Sequence, residues 1–448
     1  MASALLNTAR FASTHAAPLS AGKHKIVVIG AGAGGLAVAN QLYNKFKADG
    51  RELAQGDIAI VDGAKTHHYQ PGWTLVGAGM RSKEEFARPM ESLVAPHFAH
   101  LASNAKTLNP SSNSLTLENG DTVKYDYLVV APGLKSKFDA VKGLPEALAN
   151  PYSSKVASIY SYDSCDKTWD LIEGLKNGKA IFTQPFGPVK CAGAPQKMLH
   201  MSWDRWQKTG RGDAIKSEFV TGLPVMFGIP YYNKPLDALR KERGLDATFN
   251  ANLVEVREKD QVAVFQETTG DKKKIERSYD FLHVVPPMGP LDFIKSSPLA
   301  DAAGWVDVDK ATLQSTKFAN VFSLGDASSL PTSKTAAAIT AEAPVLTENL
   351  SRLMATGKIG EAAYNGYASC PLTVASDKVL LAEFSGYTQA PMETFGKFGI
   401  DQRKPSRLFM PLVNNVFPYA YFKYSLPGNW YGPRGLIPPT YVPSVVPS

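Results

Sequence analysis

Along the chain, short continuous apolar runs end in glycine- or aspartate-containing turns, the pattern of strands buried in a parallel sheet. Lys25-Ile-Val-Val-Ile-Gly30 is the first such run, and Leu36 to Lys47 after it reads as a helix. Asp57-Ile-Ala-Ile-Val-Asp62, Tyr125-Asp-Tyr-Leu-Val-Val-Ala-Pro-Gly133, Lys179-Ala-Ile-Phe-Thr183 and Asn320-Val-Phe-Ser-Leu-Gly-Asp326 repeat the pattern, and a helix is expected to open at Lys334. The Val-rich stretches 252–257 and 261–266 flank the charged residues Glu258 to Asp260 and predict a hairpin. No stretch supplies about 20 apolar residues without a glycine break, so no transmembrane helix is expected.

The 448 residues, 44% apolar with a net charge of +7, are too apolar for a disordered chain and long enough for two or three domains. Three cysteines exclude a disulfide-stapled scaffold, and the Cys/His spacing, with His67 and His68 adjacent, gives no metal site. The charge is unevenly placed. Residues 1–20 carry Arg10, no acid and many Ala, Ser and Thr, the composition of a mitochondrial transit peptide. Residues 401–448 hold five basic residues, one acid and nine aromatics, which suits an anionic membrane surface; a fold over the protein's own core or a dimer contact is the alternative. No nucleic-acid partner is expected, and a homo-oligomer stays open.

Gly30, Gly32 and Gly35 form G-x-G-x-x-G between a strand and a helix, with Ala33 and Gly34 inside the motif. The first glycine allows the tight turn, the second admits a pyrophosphate, and the third lets the helix pack closely. Asp62, ending the next strand, is placed to accept ribose hydroxyls. These features leave FAD and NAD both open. The segment ending at Asp326, followed by Lys334, Thr335, Ala336 and Ala337, resembles the second FAD fingerprint of two-dinucleotide-domain flavoproteins. That resemblance implies Asp326 on the ribityl chain and the helix start at the flavin pyrimidine edge, where Lys334 would favour reduced flavin. After Thr183, where a second phosphate turn would stand, come prolines, single glycines and Cys191, which argues against NADH as electron donor.

Six segments together resemble the sulfide:quinone oxidoreductases, the mitochondrial branch most closely: those beginning at His68, Pro188, His283, Ala303, Leu330 and Gly366. Two of them contain Cys191 and Cys370, both in Pro/Gly settings that read as turns. The resemblance implies that these cysteines are a redox pair, joined at rest directly or through a bridging sulfur. Sulfide would attack Cys370 to give a persulfide, with the Cys191 thiolate facing FAD. A small thiol or sulfite would take the sulfur, and ubiquinone the electrons. Lys190 and Lys197 are candidates for the positive group a thiolate needs. Gln70 is implied near FAD. Phe384, Phe417 and Tyr421 are candidate quinone walls, on the flavin face opposite the cysteines. Cys165 fits no motif and reads as structural or incidental.

The expected fold class is α/β, with two Rossmann-like dinucleotide-binding domains of the glutathione-reductase type and a C-terminal membrane-associating segment. Residues 1–22 are targeting sequence, 23–140 and 285–390 the FAD domain, 141–284 a degenerate second domain, and 391–448 the membrane and quinone segment. The expected location is the mitochondrial inner membrane, peripherally. Competing readings are a type II NADH:quinone oxidoreductase and a non-catalytic flavin-binding interaction protein.

Overall fold

The computed structural model describes residues 22–441; the expected targeting sequence, apart from Gly22, lies outside them. Two mainly parallel sheets dominate, the first with an antiparallel flank of Ser114–Leu117 and Ala105–Asn109 beyond Thr122–Val130. In the first, of seven strands, Lys23–Ile29 lies between Ile58–Val61 and Thr122–Val130, with Ala99–Leu101 beyond Ile58–Val61. Val321–Ser323 returns to pair in parallel with Leu128 to Val130. The central parts of these strands are apolar on both faces because the sheet is covered on both sides there: Ile26, Val27 and Val28 are completely buried. The second sheet orders Val156–Ala157, Phe281–His283, Gly178–Gln184, Ile215–Thr221 and Asp246–Thr248, all parallel. The predicted hairpin is present as Ala251–Arg257 with Val262–Glu267, and Lys274–Ser278 adds a third strand.

Three helices position the chemistry. The first, Ala33–Ala48, follows the glycine turn without a side-chain cap, so its first N–H groups remain open to a ligand. The second, Ala194–Lys208, begins three residues after Cys191. The third, Ala336–Thr356, starts two residues later than Lys334; Thr335 caps it, its hydroxyl accepting from Ala338 N–H at 3.1 Å. A two-stranded antiparallel ribbon, Tyr367–Ala375 with Lys378–Ser385, packs against the second and third helices.

The C-terminal residues run as a helical strap in which two π-helical turns, Leu412–Val416 and Tyr421–Ser425, flank Phe417–Ala420. Asn40 and Gln41 of the first helix donate to the carbonyls of Leu426 and Trp430, tying the end of the strap to the start of the chain. No helix among the described residues is long and apolar enough to cross a membrane.

Gly35 is where the first sheet and first helix touch: a Cβ there would collide with the Gly30 carbonyl. Gly35→Ala should cost about 1–3 kcal/mol through forced backbone displacement. It should lower Tm and release the expected dinucleotide on gel filtration; unchanged Tm and dinucleotide content would show the contact to be slack.

Candidate active site

A cleft of about 380 Å³ opens where the two parallel sheets end. Gly30, Gly32, Ala33 and Gly34 form one wall, with Asp62, Gln70, Asp326, Lys334, Thr335 and Ala336 around it. Gly30 has φ +94°, which glycine adopts without strain. Nothing lies within 4 Å of where a Gly32 Cβ would be, leaving backbone open to a phosphate. Asp62 accepts the Ala31 N–H at 2.6 Å, which holds its carboxylate against the glycine turn. The indole N–H of Trp73 is buried on the same wall with no protein partner, a donor set for a ligand. An open glycine turn, an uncapped helix start and an orphaned donor fit a dinucleotide. Gly35 supports this wall from behind, and Ala337 lines a second cavity instead.

Cys191 lines the cleft, and the buried Cys370 meets it from behind. Their sulfurs are 3.3 Å apart, so both are free thiols rather than a bond of about 2.05 Å. Cys191 occupies the expected turn, at φ +51°, and its N–H donates to the Lys334 carbonyl at 2.9 Å. Cys370 lies in no turn. It sits inside the strand Tyr367–Ala375, opposite Ala382, where Pro371 is tolerated because the ribbon has only two strands. The approach requires Gly193, because a Cβ there would strike the Cys370 sulfur and Leu372.

The two thiols differ electrostatically. Cys191 is held well below the usual thiol range, first by the hydrogen bond from Cys370 and then by the Lys197 ammonium 3.5 Å from its sulfur and the Gly193 N–H, against burial. Cys370 is pushed up by its hydrogen bond to Cys191 and by burial. Lys197 is itself buried, which opposes its charge, but the two sulfurs raise its pKa. Lys190, the other candidate, donates instead to Gln70 at 3.1 Å. Cys165 is remote from the pair, and burial pushes its thiol up to about 12.

A second cavity, of about 460 Å³, adjoins the first and shares Cys191, Lys197, Thr335, Ala336 and Tyr421 with it. The wall between them thus carries Cys191 and Lys197. Phe417 and Tyr421 line this cavity; Phe384 does not. Phe384 is completely buried on the ribbon's other face, packed edge-on to Phe227, because strand alternation turns it away while Glu383 faces the cavity. The Glu383 carboxylate accepts from Tyr367, the Thr394 hydroxyl and N–H, and Gln402, all neutral donors.

Sequence patterns gave no role to His67, Gly193 or Glu383. His67 Nδ1 lies 2.9 Å from the Ala31 carbonyl, which can only accept, so Nδ1 carries the proton and Nε2 accepts from Tyr421 at 2.8 Å. It thus links the glycine turn to the C-terminal strap. The one available signal was its neighbourhood, immediately before the His68 segment.

Residues 24–172 match the family model described as pyridine nucleotide-disulphide oxidoreductase. The mitochondrial sulfide:quinone oxidoreductase of Schizosaccharomyces pombe is 45% identical, over 97% of this chain and 95% of its own length. The chain belongs to the mitochondrial sulfide:quinone oxidoreductase family. The member from Mus musculus is 39% identical, covering 92% of this chain and 88% of that one. The crystal structure of sulfide:quinone oxidoreductase from Aquifex aeolicus shares the fold, with a TM-score of 0.72 at 18% identity over 89% of this chain and 91% of that chain. Membership of this flavoprotein family makes FAD the cofactor of the glycine-lined cleft.

Because its charged form is favoured, Cys191 should stay a thiolate below the ordinary thiol range and lose reactivity only as pH falls through its depressed pKa. Lys197→Met should raise the midpoint of Cys191 alkylation by roughly 1–3 pH units. Iodoacetamide labelling read by mass spectrometry checks this; an unmoved midpoint would remove Lys197 from the role.

Proposed function

We propose that this chain oxidises sulfide and reduces a quinone through the Cys191/Cys370 pair. The observation that carries the assignment is the 3.3 Å approach of two thiols, of which Cys191 lines the FAD cleft beside a buried ammonium. In the oxidised pair, HS⁻ attacks the Cys370 sulfur and breaks the S–S bond. Cys370 keeps the incoming sulfur as a persulfide, and Cys191 leaves as a thiolate, neutralised by Lys197. A small thiol or sulfite then removes the outer sulfur, and re-forming the Cys191–Cys370 bond releases two electrons. FAD, when bound, supplies the relay that carries this electron pair to quinone. Gly30 to Gly34 and Asp62 would hold its pyrophosphate and ribose, and Gln70, Asp326, Lys334 and the helix start at Ala336 its flavin end. The second cavity suits the quinone, with Phe417 and Tyr421 as apolar walls and Ala337 at its boundary.

Peripheral attachment to the inner membrane is the reading that the strap supports. Val416, Tyr419, Leu436 and Ile437 are exposed, and Val416 and Arg434 stand on the wall of the second cavity. Apolar residues beside a basic group at a cavity mouth suit a bilayer surface holding a lipid-soluble substrate.

Cys370→Ser should bind FAD normally yet show no flavin bleaching when sulfide is added without oxygen; normal bleaching would refute the role. Bleaching of the wild-type protein by NADH and not by sulfide would overturn the whole assignment. Leu436→Glu/Ile437→Glu should weaken sedimentation with anionic vesicles by about tenfold or more, since burying each side chain contributes roughly 1.5–3 kcal/mol. Unchanged binding would place the membrane face elsewhere.

A further inference from the structure

The long helix Ala336–Thr356 begins at the FAD cleft and carries a carboxyl that the reaction described above does not use. Glu342 is 1% exposed, six residues into the helix. Its Oε2 accepts the N–H of Gly325 at 2.6 Å, and Gly325 and Asp326 form the loop on the cleft wall. The nearby cation, Lys334, attracts it only through space, because its hydrogen bonds go elsewhere. Lys334 donates to the carbonyls of Asp326 and Ser328 at 2.9 and 3.1 Å and lies over the Trp305 ring. The other ionisable groups facing this site are Asp326 from the loop, Tyr364 from the segment after the helix, and Tyr387 beyond the ribbon. Asp301 faces Lys334 rather than Glu342. The Tyr364 hydroxyl donates to the Tyr367 carbonyl and also hydrogen-bonds Glu342, which partly offsets the effect of burial on that carboxyl.

A carboxylate here opposes the positive end of its helix, and that end is what a negatively charged flavin would use. Two electrons arriving in the cleft add negative charge within reach of Glu342 through a low-dielectric interior. The two negative charges repel, and the carboxyl is the group that can relieve this by binding a proton. Burial already pushes Glu342 up to about 7, so added negative charge moves it into the protonated form at neutral pH.

We propose that Glu342 is a redox-linked proton site: it takes one proton from water when two electrons enter the flavin cleft and returns it when they leave for quinone. The proposal rests on the FAD assignment, which is checked separately by the absorbance of bound flavin in the purified protein. Glu342 acts through charge and through the Gly325–Asp326 loop, so it is a tuning residue rather than one that touches substrate.

Potentiometric titration of the holoenzyme across the neutral range tests it. With a second proton linked to the electron pair, the wild-type flavin potential should fall more steeply with pH than that of Glu342→Gln, which keeps an acceptor for Gly325. One proton per two electrons is a tenfold change in equilibrium per pH unit, about 30 mV. Proton uptake on photoreduction of the wild-type holoenzyme, followed with an indicator dye, provides a reading that needs no variant. Uptake above that of free FAD around neutrality supports the proposal. Uptake equal to free FAD, or equal slopes in wild type and Glu342→Gln, overturns it. Absence of bound flavin in the wild type would instead sink the FAD assignment.

Discussion

The geometry at Cys191 sets the terms for the rest of the molecule. Cys191 has positive φ, and two residues after it the chain must lack a side chain so that a helix can start against the strand carrying the second thiol. Gly193 meets that condition, and the backbone bond from Cys191 to Lys334 fastens the turn to the loop before the long helix. One contact thereby joins three pieces of chain: the end of a strand of the second sheet, the two-stranded ribbon, and the flavin-side loop returning to the first sheet. None of these has a sequence-local reason to be near the others. Their meeting is the fold's contribution to the chemistry.

Buried charge is distributed around that junction in a consistent way. Lys197 has no carboxylate partner and keeps its ammonium because two sulfurs face it. Glu383 has no cation among its four hydrogen-bond donors and is held by neutral groups. Lys334 gives its protons to carbonyls. Each of these groups would lower the energy of its neighbours by forming an ordinary salt bridge, and the site separates them instead. Unpaired buried charges keep their field available to transient charge on a ligand, whereas a closed pair would cancel most of it. Desolvation is the cost, offset by hydrogen bonding at every such group.

The sheets and the glycine turn were legible because their causes are local. An apolar run of four residues before Gly30 has no stable place except a covered strand, and Gly35 is needed where this helix and strand touch. The cysteine pairing was legible only by resemblance, since 179 residues separate the two and spacing says nothing about proximity. Cys370 was misplaced into a turn because Pro371 usually breaks a strand; an isolated ribbon relaxes that rule by leaving edges unpaired. Phe384 lines neither cavity for a related reason. In a strand, neighbouring residues face opposite ways, and composition cannot say that Glu383 rather than Phe384 faces the cavity. The hydrogen bond that ties His67 to Tyr421 spans nearly the whole chain and left no periodic trace.

That same tie has a consequence for assembly. Residues 40 and 41 hold the carbonyls of residues 426 and 430, and His67 holds Tyr421. Contacts of such long sequence separation carry the largest loop-closure entropy, so they form after the local strand and helix contacts. A chain emerging from its N-terminus completes the first glycine turn long before the strap exists. The strap, whose Tyr421 lines the cleft, therefore closes over a glycine turn whose own contacts are local and form without it.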